Sequence, residues 1–191
     1  FSEMAAQDLN LKRNPFYNRN AGLAMFGKSF FRNNPDNVYQ DSVSSVVIVD
    51  SYIKNKKTGK AEFIGTGAGV ILKPVKGSHT LSEKGYEYFV LTNWHVIDGA
   101  QYIRLCFKPE GRTVTTDCKD TGGAFAELFN YSIEKDLALL TFVSKKKFKG
   151  IEFEDYDNIK VGEQVHAIGH PKNLLWSYSK GIISQIRDNY N

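Results

Sequence analysis

The chain has 191 residues, 41% hydrophobic, 24% charged and 13% aromatic, a balance too apolar and too weakly charged for general disorder. That length allows one domain with a sizeable core or two small lobes packed together. The net charge of +4 comes largely from the lysine clusters Lys54 to Lys60 and Lys145 to Lys149, which lie between apolar runs and read as solvated loops. Basic residues gathered on one face with interleaved aromatics are missing, which argues against a nucleic-acid partner. No apolar run nears the roughly 20 residues of a transmembrane segment.

Taken in chain order, Phe1 to Asn20 is polar and without sustained apolar period, and reads as an arm. Its first residue is Phe rather than Met, which leaves open a removed export signal or a start outside the sequence. From Ala21 to Arg32, Leu23, Phe26 and Phe30 fall on one helical stripe before Asn33, Asn34 and Pro35. That spacing predicts a short helix docking its phenylalanines on the domain, in preference to a membrane surface. Asp36 is placed to cap a second short helix through Tyr39 and Val43, after which Val46 to Val49 turns β-branched. Strands are then expected at Ser45 to Ile53, Ala61 to Leu72, Tyr86 to Thr92, Tyr102 to Phe107 and Thr113 to Cys118. Leu137 to Val143, Glu163 to Ile168 and Trp176 to Ile186 follow, the last two able to pair as a hairpin. Short strands broken by Gly, Pro, Asn and Lys indicate an all-β barrel or sandwich. A soft boundary falls between Lys145 and Lys160, giving an arm at 1–37, a β unit at 38–144 and a further unit at 145–191.

Cys106 and Cys118 flank an expected turn at Pro109, Glu110 and Gly111. If Lys108 paired with Arg112, Cys106 would face Val114 and leave Cys118 about 13 Å along the strand, too far for a simple cross-strand disulfide. Two semi-buried thiols are therefore expected, with a bulge or longer loop as the route to a bridge.

Two residues carry chemistry. His95 follows an apolar strand and precedes a short turn, where a rigid element can aim an imidazole that titrates near neutral pH. Asp136 precedes the apolar run Leu137-Ala138-Leu139-Leu140, and a half-buried carboxylate there needs a partner such as an imidazole N–H. Thr92-Asn93-Trp94-His95-Val96-Ile97-Asp98-Gly99-Ala100 resembles the histidine motif of HtrA-like serine proteases, and Asp136-Leu137-Ala138-Leu139-Leu140 resembles their aspartate motif. Gly65 to Leu72 resembles the glycine-rich strand before the histidine. Val161 to Pro171 and Ser179 to Ser184 resemble the opening strands of the second barrel. The resemblance runs from about Val38 to Arg187 with the motifs in the family's order.

What the resemblance implies is a chymotrypsin-like double β-barrel, the first barrel complete and the second only begun; the short amino-terminal helices expected from the residue spacing are a departure from the family, as are the stretch Lys73 to Glu87 and the path from Cys118 to Asp136. The resemblance implies an endopeptidase with polypeptide substrates and an extracytoplasmic, periplasmic setting, in which His95 is the general base and Asp136 orients it. No metal or organic cofactor is called for. The family's Gly-x-Ser-Gly-Gly motif does not occur; Gly122-Gly123 has no serine at the right offset, and Ser177, Ser179 and Ser184 lack flanking glycines. The serine is expected beyond Asn191, and a carboxy-terminal segment or another subunit is expected to complete the second barrel and cover Val165, Ile168, Ile182, Ile183 and Ile186. Two rivals stand beside this reading: a noncatalytic protease-like scaffold or peptide-binding domain, and a cysteine nucleophile outside the sequence. Gly65 to Gly69 is followed by Val70, Ile71, Leu72 and Pro74 where a dinucleotide fold needs a helix. His166 and His170, about 13 Å apart on a strand, do not suit one zinc ion, and His79 reads as a surface residue.

Overall fold

The computed structural model describes residues 23–26, 38–73, 85–109, 123–171 and 174–187. Nine strands occur among them. Six close a barrel in the order β2 (Val46–Lys54), β3 (Ala61–Ile71), β4 (Tyr86–Thr92), β7 (Leu137–Ser144), β6 (Ala124–Ser132) and β5 (Tyr102–Phe107). The other three form an antiparallel sheet in the order β1 (Leu23–Phe26), β8 (Gln164–Gly169) and β9 (Ser177–Ile182). The two helices are short, α1 at Val38–Val43 and α2 at Trp94–Ile97. The fold is all-β, and its closed barrel is the first barrel of a chymotrypsin fold.

β2 explains why the molecule has two cores. Val46 to Val49 are all buried, because alternate side chains of the strand enter different apolar clusters. Val47 and Val49 point into the barrel with Ile71, Val90, Leu105, Leu140 and Phe142. Val46 and Ile48 point outward, where Val43, Cys106, Ile168 and Trp176 cover them. The glycine-rich strand is the complement of this packing. A Cβ at Gly69 would fall 2.6 Å from Val90 Cγ1 and 2.9 Å from Val49 Cγ2, so the barrel wall closes at this point only around a residue without a side chain.

The segment after β7 plugs the barrel rather than merely linking units. Phe148 packs its ring 4.8 Å from Phe107, 5.2 Å from Tyr88 and 5.7 Å from Phe142, while the neighbouring lysines stay exposed. Ile151 then pairs with Leu72, Lys73 N–H donates to Ile151 O at 2.7 Å, and Lys73 and Glu152 form an ion pair.

Three expectations need correction or completion. Leu23–Phe26 is not helical but a strand on the edge of β8, with Leu23 opposite Gly169 and Phe26 opposite His166. A stripe of three residues, Leu23, Phe26 and Phe30, does not outweigh a free sheet edge that supplies backbone partners, and the part of that stretch after Phe26 lies outside the described residues. Cys106 is disulfide-bonded rather than a free thiol, and Cys118 is the one other cysteine in the sequence. The turn expected at Pro109, Glu110 and Gly111 reaches outside the described residues, among which β5 pairs with β6 and Leu105 lies opposite Ala124. β6 itself was not anticipated. The expected strand at Thr113 to Cys118 and the Asp36 cap lie outside the described residues. The anticipated apolar patch is only partly exposed, since Ile168 is fully buried between the barrel and the second sheet while Ile182 is 64% exposed.

Candidate active site

His95 sits in α2, the single helical turn between β4 and β5, and four contacts fix that turn on the barrel rim. Val96 and Ile97 bury into the core. Ser51, the inward-facing residue after Val47 and Val49, donates its Oγ hydrogen to Val96 O at 2.7 Å. Gly67 lies directly beneath, where a Cβ would come within 2.5 Å of Val96 Cγ2, so the helix can approach β3 only over glycine. Trp94 stacks on Tyr131 of β6 with ring centroids 4.4 Å apart. At the strand end, Thr92 Oγ1 donates to Ala68 O at 2.8 Å and ties β4 to β3.

Asp136 closes the turn between β6 and β7 in left-handed backbone, φ 51°, with its N–H donated to Ile133 O at 3.0 Å. Asp is among the few side chains that accept this conformation, and here it turns the carboxylate back toward α2. Oδ2 lies 2.7 Å from His95 Nδ1, and Oδ1 accepts the His95 backbone N–H at 2.9 Å. Asn93 Nδ2 donates to Asp136 O at 3.0 Å and to Oδ2 at 3.3 Å. The side chains of His95 and Asp136 are 16% and 20% exposed, sheltered from bulk water, with His95 Nε2 itself buried. An ionised carboxylate can only accept, so Nδ1 carries the proton and Nε2 is the ring's basic nitrogen, on the side away from Asp136. The arrangement can hold an imidazole in one tautomer and stabilise its cation.

The structure thus brings together His95 and Asp136, the two residues singled out from the sequence. Asn93, Ser51 and Gly67 were not singled out. Ser51 was readable as the one polar residue on the inward face of β2, and Gly67 as part of an alternating glycine run; Asn93 was visible only as an asparagine at a helix start.

The two histidines of the second sheet lead separate lives. His166 Nδ1 meets Tyr178 Oη at 2.6 Å, and His170 Nδ1 accepts the Trp176 N–H at 2.9 Å. His170 is 3% exposed; burial lowers its pKa to about 4, offset in part by the nearby Val47 backbone. Trp176 ties three elements through its other polar atoms, donating Nε1–H to Val46 O at 3.2 Å and accepting from Tyr39 Oη at 3.2 Å. This knot joins α1, β2 and the β8–β9 connection.

A closed six-stranded barrel with a histidine turn and an aspartate turn meeting on its rim, and a second antiparallel sheet packed against β2, defines a chymotrypsin-fold peptidase domain. The chain belongs to the trypsin-like peptidase domain family, which its residues 67–191 match. Over 127 residues, 66% of its length, it is 32% identical to a probable periplasmic serine protease do/HhoA-like of Haemophilus influenzae, covering 22% of that protein. It is 32% identical over 124 residues to the periplasmic pH-dependent serine endoprotease DegQ of Escherichia coli, 65% of this chain and 22% of DegQ. With the magnetosome formation protease MamE of Paramagnetospirillum magneticum it shares 32% identity over 136 residues, 71% of this chain and 16% of MamE. The chain spans about a fifth of the length of the curated relatives it matches. No helix among the described residues is long and apolar enough to cross a membrane.

Proposed function

We propose that the chain carries the acid–base half of a serine endopeptidase. His95 takes the proton of an attacking serine and returns it to the leaving amine, and Asp136 holds the Nδ1–H tautomer and stabilises the imidazolium. The observation that carries this reading is the two-point hold of Asp136 on His95, ring N–H on one carboxylate oxygen and backbone N–H on the other, 2.7 and 2.9 Å long. Two contacts fix both the orientation of the carboxylate and the plane of the ring, which a single surface ion pair does not do. The substrate is a polypeptide, as the family's chemistry requires. The nucleophile belongs to a Gly-x-Ser-Gly-Gly motif that the family's order puts after Asn191, together with the oxyanion-hole N–H groups.

An extracytoplasmic setting accompanies this proposal. The relatives named above as periplasmic support it, and so does the disulfide at Cys106, a bond that persists in oxidising compartments. The unit boundaries at 37 and 144 go with it as a working division, although β1 joins the second sheet and Phe148 the first barrel.

The experiment compares the 191-residue chain with a longer form encoding whatever follows Asn191. The chain alone is expected not to cleave casein, and the longer form to cleave it with sensitivity to a serine-directed inhibitor. His95→Ala in the active form should reduce kcat about 10⁴-fold or more. A modest loss would leave His95 a structural role, and a longer form without the serine motif would favour a noncatalytic scaffold.

A further inference from the structure

We propose, resting on the His95–Asp136 reading, that Asn93 is a positioning residue: its side-chain amide locks the Asp136 turn and thereby sets the His95 ring. Asn93 occupies the N-cap of α2 with extended backbone, φ −83° and ψ 146°, where an asparagine side chain ordinarily accepts from a helical N–H two or three residues on. It makes no such bond. Its amide reaches across 43 residues of sequence to donate to both the carbonyl oxygen and Oδ2 of Asp136. The capping function passes to Asp136, whose Oδ1 accepts the His95 N–H at 2.9 Å. Asn93 and Asp136 have exchanged partners, each holding the element that carries the other.

The exchange has a geometric reason. Asp136 is in left-handed backbone, which costs an aspartate of the order of 1 kcal/mol or more unless its surroundings hold it. One Asn93 N–H group binds the peptide oxygen that follows that φ, and the carboxylate is bound at the oxygen it shares with His95 Nδ1. A carboxylate rotated about its Cβ–Cγ bond would have to break the Asn93 contact, the ring contact and the backbone contact together.

The test uses the ring N–H resonance of ¹⁵N-labelled His95 in the 191-residue chain and needs no catalytic serine. The wild type is expected to show a low-field, slowly exchanging Nδ1 proton, and Asp136→Ala to abolish it. Asn93→Ala should speed exchange of that proton with water about tenfold or more in a chain that remains folded, the factor carried by a hydrogen bond to a charged group. Asn93→Asp keeps the shape, cannot donate when ionised and sets a like charge beside Asp136; it should abolish the resonance at neutral pH, and it decides the matter if Asn93→Ala fails to fold. Loss on Asp136→Ala with wild-type exchange in the folded Asn93 variants overturns the role of Asn93 alone. A wild type without the resonance, or an Asp136→Ala chain that keeps it, overturns the His–Asp reading itself.

Discussion

Asp136 and Trp176 both adopt φ 51°, and for a residue as bulky as tryptophan that is an unusual backbone state. The surroundings explain why it persists: Trp176 is 3% exposed, and its N–H, Nε1–H and carbonyl oxygen are each bonded to a different element. The bond from Trp176 N–H requires an unprotonated Nδ1 on His170, so this histidine must fold neutral. Its pKa falls from the model-peptide 6.5 to about 4 because burial penalises the cation. Between those two values the unfolded chain binds more protons than the folded one, so stability rises with pH across that window and is lost as pH falls through it. The loss on acidification from pH 6.5 to 4 amounts to about 3 kcal/mol for this residue. Denaturant unfolding at a series of pH values should show that slope in the wild type and not in His170→Asn, whose amide oxygen can still accept from Trp176. Equal slopes would mean that other groups set the acid response.

Among the elements, those with regular burial were legible and those without were not. β4 and β7 alternate or run apolar, and their bounds follow from the pattern Tyr86 to Thr92 and Leu137 to Leu140. β6 buries Ala126 but leaves Phe125, Leu128 and Phe129 largely exposed, with a register shift between Leu128 and Asn130, so its sequence carries no period of two to read. Phe148 lies in a lysine-rich segment yet seals the barrel end through three aromatic contacts. Phe148→Ala should therefore lower the unfolding free energy by about 3 kcal/mol, against less than about 0.5 kcal/mol for Phe153→Ala, whose ring is 73% exposed. Similar melting temperatures for the two variants would refute the plug. β1 is stabilised by backbone pairing with β8, which covers an edge that would otherwise be open to other chains. Deleting residues 1 to 26 should speed hydrogen exchange of the β8 amides that face β1 and promote self-association in light scattering, with β4 and β7 remaining protected. Unchanged β8 protection would show that β1 adds nothing to the edge.

At the scale of the whole molecule, the barrel and the second sheet are held together by β2, which gives Val47 and Val49 to one core and Val46 and Ile48 to the other. The disulfide acts on this assembly from Cys106, a residue of the second cluster. Cross-linking the chain at Cys106 restricts the unfolded state and contributes about 3 kcal/mol. Reductant should thus lower the melting temperature by several degrees, and Cys106→Ser should reproduce the shift and abolish any further response. A melting temperature indifferent to reductant would show the bond to be without consequence for stability.

The sequence by itself determined the β class and most of the barrel strands, which are written in local pattern as β-branched runs bounded by turns. His95 and Asp136 are singled out because their motifs resemble those of HtrA-like proteases, a histidine after one strand and an aspartate before another being weak signals alone. Only the tertiary structure decided that Leu23–Phe26 is a strand, that Cys106 is bridged, and that Asn93 faces Asp136 instead of capping its own helix. Those outcomes depend on partners far along the chain: Gly169 and His166 for β1, and the Asp136 turn for Asn93. A sheet edge, a loop closure and a cross-chain hydrogen bond come into being only when the barrel closes, and no local propensity records them in advance.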